Sequence, residues 1–155
     1  MSAPLPTERC RNFDDTLTIA RRYTADINLV SQAYNAGQRS VAIVLRCADQ
    51  WGRAVVLYED TWYDKIVVFH GYMANKLDAI VAVVTTPERV NFDALHPNGE
   101  NFYGRDYLDY PEDHYYLKVV VRYERTGSHH VGTIVSAYGA PDYRKRGERF
   151  KWHRR

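Results

Sequence analysis

Cysteine is scarce in this 155-residue chain: Cys10 and Cys47 are the only two, and they form no Cys-x-x-Cys pair. Neither a disulfide framework nor a zinc knuckle is indicated. Long apolar runs are missing as well; the longest falls far short of the roughly 20 residues that cross a bilayer, so no membrane partner is expected. The opening "MSAPLPTERC" has no basic stretch followed by an apolar one, so no signal peptide is expected, and a reducing cytoplasm is the expected compartment. The chain has no glycine-rich strand-to-helix fingerprint and no Gly-x-Ser-x-Gly elbow, which removes the usual dinucleotide site and the hydrolase nucleophile turn. Histidines at 96, 114, 129, 130 and 153 show neither His-x₃-His nor His-Glu-x-x-His spacing, and adjacent His129 and His130 sit in a glycine-containing turn. They read as polar loop residues, so no metal and no cofactor is expected.

What is abundant is tyrosine, 13 of 155 residues. Tyrosine packs well in sheets and stacks on bases, so the excess fits either a β-rich core or a nucleic-acid surface. Net charge is only +2, but it is unevenly spread. "RKRGERFKWHRR", residues 144–155, holds seven Lys/Arg against one Glu, a local +6; residues 1–143 hold fourteen Lys/Arg against eighteen Asp/Glu, or −4. Arg144, Lys145, Arg146, Lys151 and Arg154, with Trp152 among them, are candidate RNA-binding residues: the cations meet phosphates and the ring meets bases. The plainer reading of the same segment is a solubilising, frayed terminus.

Periodicity divides the chain into an N-terminal segment and helix (1–37), a central domain (38–143) and a basic C-terminal tail (144–155). Ala20, Tyr23, Ile27, Val30 and Tyr34 form one helical stripe between Asp14 and Gly37. "SVAIVLRCAD" and "RAVVLYED", split by Gln50-Trp51-Gly52, read as a β-hairpin. "WYDKIVVFH" reads as a third strand or the lead into a helix. Met73, Leu77, Ile80, Val81 and Val84 then make a helical face that Pro87 ends. Residues 91–114 form a long turn-rich stretch with room for a short strand near 101–103. Two strands, Tyr116–Glu124 and Val131–Tyr138, close the domain. The expected fold is α+β, a mainly antiparallel sheet of about four or five strands with helices packed on one face.

Alternation puts Lys118, Val120 and Arg122 on one face of the first closing strand, and Ile134, Ser136 and Tyr138 on one face of the second. Val135 and Ala137 then suit a helix packed behind. Pairing would bring Lys118, Arg122, Ser136 and Tyr138 to a common open face. Charges on the wet face of an antiparallel sheet are ordinarily just solvated. His70 offers a second clue: at the start of a helix the dipole favours the neutral imidazole, which suits a general base.

The serial order "WYDKIVVFHGYMANKLDAIVAVVTTPERVNFD", "NFYGRDY", "YYLKVVVRYE" and "GTIVSAYGAP" resembles the phage- and toxin-associated nuclease domains of the barnase–EndoU–colicin–RelE superfamily, over roughly residues 40–141. The resemblance implies a metal-independent, toxin-like endoribonuclease that drives a 2′-OH onto the adjacent phosphate, with RNA as partner and a cognate antitoxin or immunity protein as a further one. It marks His70, Arg122 and Ser136, and less directly Lys65 and Lys118. The chain departs from the family pattern at Gly71-Tyr72, where an acidic residue and Pro are commoner, and at Ser136, where Thr is commoner. In such a reaction His70 would be the base, Arg122 would stabilise phosphate charge, Ser136 would donate to the phosphate and Tyr138 would stack on a base. His129, His130 and Lys118 stay open as the acid for the leaving oxygen. The rival reading is a catalytically inactive RNA- or protein-binding module of the same fold, with a phage-associated component as a third. Close approach of His70, Arg122 and Ser136 would separate the two.

Overall fold

In the computed structural model, residues 42–105 and 116–155 are described. The helix expected over 14–34, and residues 106–114 of the stretch 91–114 expected as a long loop, lie outside them. The fold is α+β around one mostly antiparallel sheet, as the patterning implies, but the described residues already supply it with seven strands rather than four or five.

The elements are β1 (Ile43–Ala48), β2 (Ala54–Tyr58), α1 (Thr61–Val67), a 3₁₀ turn (Gly71–Met73), α2 (Leu77–Thr85), β3 (Arg89–Phe92), β4 (Gly99–Gly104), β5 (Tyr116–Thr126), β6 (His129–Ala140) and β7 (Arg149–His153). Strand order is β1-β2-β6-β5-β4-β3-β7. Among the described strands only β2 and β6 pair in parallel. A strand inside the sheet is covered on both faces, and the uninterrupted apolar run "AVVLY" of β2 is buried throughout.

The expected β1–β2 hairpin forms, and its turn is tied by Asp49, whose Oδ1 accepts from the Trp51 and Arg53 amides, both at 2.9 Å. Gly52 takes φ 82°, a left-handed conformation that side chains disfavour. The run 62–70 is not a strand. Asp60 caps it through the Thr61 amide (2.6 Å), and Trp62 and Ile66, four residues apart, are both buried while Tyr63, Asp64 and Lys65 face outward. That spacing buries one helical face, so α1 forms despite its β-branched residues. Its hydrogen bonds are of the wider π type.

The helix expected from Gly71 onward breaks in two. A three-residue 3₁₀ turn buries Met73, and α2 starts only at Leu77. Trp62 and Ile66 of α1 and Ile80 and Val84 of α2 join one apolar cluster with Leu57, Phe102, Leu117 and Val119 of the sheet. At β4 the contact is close: a Cβ on Gly104 would lie 2.8 Å from Val83 Cγ2, so glycine lets α2 settle there.

The two closing strands are longer than expected and pair as a hairpin across Gly127 and Ser128, with Gly127 at φ 64°. A β-bulge interrupts them: Val120 faces Ser136, but Val121 faces Ile134. The extra residue, Val135, turns Ile134 into the core, away from the face shared by Ser136 and Tyr138. Ile134 therefore does not line the polar face, and Val135 is half-buried. The segment 144–155 is not a separate tail, because β7 pairs with β3 at the edge of the same sheet. Its many charges suit an edge strand, where they discourage pairing with other chains.

Candidate functional site

Register places one polar residue from each of five strands in a row across the sheet. His153 of β7 faces Arg89 of β3, Arg89 faces Tyr103 of β4, Tyr103 faces Lys118 of β5, and Lys118 faces Tyr138 of β6. Paired residues point to the same side, so all five share the face opposite the Phe102–Val119 core. The expected co-facing of Lys118, Arg122, Ser136 and Tyr138 is what this register produces, with Ser136 across from Val120 and Arg122 across from Thr133.

The middle of this face is dry. Lys118 is 2 % exposed and is paired through Nζ with Glu148, whose side chain is 1 % exposed. Glu148 also accepts from Tyr103 OH (2.7 Å), Asn101 Nδ2 (2.8 Å) and Asn91 Nδ2 (3.1 Å). Four donors thus converge on one buried carboxylate from three strands, compensating its desolvation. Burial, reinforced by Glu148, pushes the Tyr103 phenol well above its ordinary pKa, so it stays a donor. The loop between β6 and β7 brings Glu148 in, and the Tyr143 carbonyl accepts from Asn91 Nδ2 at 2.9 Å. Lys118, expected at a phosphate, is instead occupied by this carboxylate.

At the β6 end of the row, the His70 ring stacks on Tyr138, with centroids 5.3 Å apart and planes 25° apart. Tyr138 also flanks Lys118, whose Nζ lies 5.7 Å from its ring centre. Tyr72 OH accepts from the Gly139 amide (2.9 Å), and Lys65 Nζ donates to the carbonyl of the bulged Val135 (2.6 Å). His70 and Tyr138 therefore touch beside β6, and Lys65 reaches the backbone next to Ser136. The expected helix-dipole effect on His70 does not apply, because only a three-residue turn follows it. The His70 amide instead donates to Ile66 O (2.8 Å), at the C-terminal end of α1.

Arg122 lies elsewhere on the same face. It is four residues from Lys118, roughly 13 Å along the strand at about 3.3 Å per residue. Its Nη2 sits 2.8 Å from His96 Nε2. Asp93 shapes the His96 loop by accepting from the Leu95 and His96 amides (both 2.9 Å) and from Asn101 (3.1 Å). Burial works against ionisation of Asp93, but these hydrogen bonds outweigh it and its pKa is lowered. Arg122 Nε is buried and has no hydrogen-bond partner among the described residues. His96 is a residue that motif reading passed over; only the pairing of Gly99 with Arg122 brings it alongside. His129 and His130 stand at the hairpin tip opposite Thr126 and Arg125, and His130 is roughly 26 Å along β6 from Tyr138 at about 3.3 Å per residue. Among the described residues no three His, Cys, Asp or Glu side chains are grouped to hold a metal ion.

The C-terminal cations divide. Lys151 is paired with Glu100 and lies 4.3 Å from the centre of the Trp51 ring; Trp152 meets Trp51 edge-on at 6.4 Å. Arg154 donates through Nη2 to Thr86 O (2.7 Å). Arg144, Lys145 and Arg146 are exposed on the β6–β7 loop, with Arg144 Nε 2.9 Å from Asp142. Glu100 in turn accepts from Arg53 Nη1 (3.1 Å), whose guanidinium lies 3.7 Å from the Tyr123 ring centre. Burial opposes ionisation of Glu100, yet the hydrogen bonds from Arg53 and Lys151 prevail and its pKa is lowered.

Comparison of the chain with protein-family models, curated protein sequences and solved structures finds no match. No helix among the described residues is long and apolar enough to cross a membrane.

Proposed function

We propose that the chain is a metal-independent, toxin-like endoribonuclease of the barnase–EndoU–colicin–RelE kind, acting in the cytoplasm and held in check by a cognate antitoxin or immunity protein. The observation that supports this reading best is the stacking of His70 on Tyr138, with Ser136 two residues along the same strand face. His70 takes the 2′-OH proton, and the oxygen freed of it attacks the adjacent phosphorus as the 5′-oxygen leaves and takes a proton from water. Ser136 donates a hydrogen bond to a non-bridging oxygen. Arg122, too far along β5 to share that phosphate, holds a flanking one with His96 beside it. Lys118 acts through Tyr138, as a positioning residue rather than a phosphate ligand.

The separation of Arg122 from His70 favours the second reading, an inactive module that binds RNA or protein. Incubation of mixed RNA with the protein in EDTA decides between them. Cleavage by wild type is expected, lowered about 10²–10⁴-fold by His70→Ala. Ser136→Ala is expected to lower turnover, and Arg122→Ala to raise KM more than it lowers kcat. Wild type that melts cooperatively yet leaves tRNA, rRNA and mRNA intact would establish the binding module instead.

A further inference from the structure

At the β3–β7 edge, the row across the sheet opens into a cleft of about 520 Å³. Arg89, Arg105, Arg154, Tyr116 and Tyr143 line it, and Glu88 is the acidic residue among them. Each tyrosine carries a guanidinium on its ring: Arg89 lies 4.5 Å from the Tyr143 centre and Arg105 lies 5.2 Å from that of Tyr116. The two rings meet edge to face at 5.5 Å. Internal bonds fix the guanidinia. Arg89 Nε donates to Asn91 Oδ1 (2.8 Å), Arg105 Nη2 donates to Tyr116 OH (3.0 Å) with Nε 3.1 Å from Glu88, and Arg154 is held at Thr86 O. With Arg155 also in the lining, four guanidinia against the Glu88 carboxylate leave the cleft cationic, and its rings are already in place.

Forked donors match phosphate, and flat rings match bases without regard to sequence. The cleft also has a direction. Arg89 stands three strand spacings from Tyr138, roughly 14 Å at about 4.8 Å each, with the exposed cations Arg144, Lys145 and Arg146 on the loop above the row. We infer that this cleft is a binding subsite for single-stranded RNA, seating a base on Tyr116 and Tyr143 and its phosphates on Arg89 and Arg105, a few nucleotides from His70. Its link to cleavage rests on the ribonuclease reading; binding in the cleft does not.

The test is fluorescence anisotropy of the full chain with a labelled 2′-O-methyl RNA oligonucleotide, which lacks the attacking hydroxyl and stays whole. Arg105 is about half-exposed, and Arg105→Ala is expected to weaken binding about tenfold and to flatten the salt dependence by about 0.7 per lost phosphate contact. Tyr116→Ala is expected to cost about tenfold with little change in salt slope. Arg125→Ala removes an equal charge at the distant hairpin tip and is expected to bind within about twofold of wild type. Thermal melts confirm that each variant is folded. Wild-type affinity in folded Arg105→Ala and Tyr116→Ala overturns the inference, as does uptake of a glutamate-rich peptide with no uptake of RNA. Should 2′-O-methyl RNA bind through the cleft while unmodified RNA survives intact, the ribonuclease reading fails and the subsite stands.

Discussion

A lysine buried as deeply as Lys118 is tolerable only with its counterion, and Glu148 is supplied from thirty residues away. Losing one member strands the other in a medium that solvates it poorly, typically a cost of about 3–5 kcal/mol. Lys118→Met should therefore unfold at markedly lower urea, while Lys118→Met with Glu148→Gln should recover part of the loss, since the amide still accepts from Tyr103. Equilibrium urea curves with unchanged slope would display both effects. A Lys118→Met protein as stable as wild type would mean that the three neutral donors alone sustain the carboxylate. The same variant separates structure from chemistry: if Lys118 only positions Tyr138, residual cleavage should be lowered in kcat without a change in its pH profile.

Between residue and whole lie the elements, and here the sequence was legible unevenly. The β1–β2 and β5–β6 hairpins follow directly from β-branched runs around glycine turns, and the sharing of one face by Lys118, Arg122, Ser136 and Tyr138 follows from alternation. Ile134 escaped because a bulge is a one-residue event that leaves no mark on composition. The run 62–70 was ambiguous because Ile66, Val67 and Val68 favour a strand, while only the burial of Trp62 and Ile66 on one side selects a helix. β7 escaped because its charges mask the Phe150 and Trp152 alternation, and its partner β3 has only four residues. One contact ties these elements together: Glu100 of β4 binds Arg53 at the entry to β2 and Lys151 of β7. Its folded pKa lies below its unfolded one, so the stability it contributes is complete above the ordinary carboxylate pKa of about 4 and is lost as pH falls through the folded value. The melting temperature should hold from pH 7 to about 5 and then decline. Glu100→Gln should melt lower at pH 7 and show a shallower acid decline; curves that run parallel at all pH values would remove Glu100 from the cause.

At the scale of the molecule, one continuous sheet carries a helix-covered apolar face and a polar face whose middle is sealed by the loop leading to β7. That arrangement makes the C-terminal residues structural first and cationic second. β7 covers the outer edge of β3, Lys151 reaches Glu100, and Trp152 packs by the core beside Trp51. Removing residues 149–155 should consequently lower the melting temperature by roughly 10 °C or more, since several kcal/mol would be lost at about 2–4 °C per kcal/mol for a chain of this size. Replacing Arg144, Lys145 and Arg146 together with serine removes three charges from an exposed loop whose ion pair with Asp142 is a surface contact worth little. That variant should melt within about 2 °C of wild type, yet bind RNA with a flatter salt dependence. Circular dichroism melts of the two proteins, side by side, tell a strand from a tail. If the shortened chain melts like wild type, β7 contributes nothing to the sheet and the basic segment acts through its charge alone.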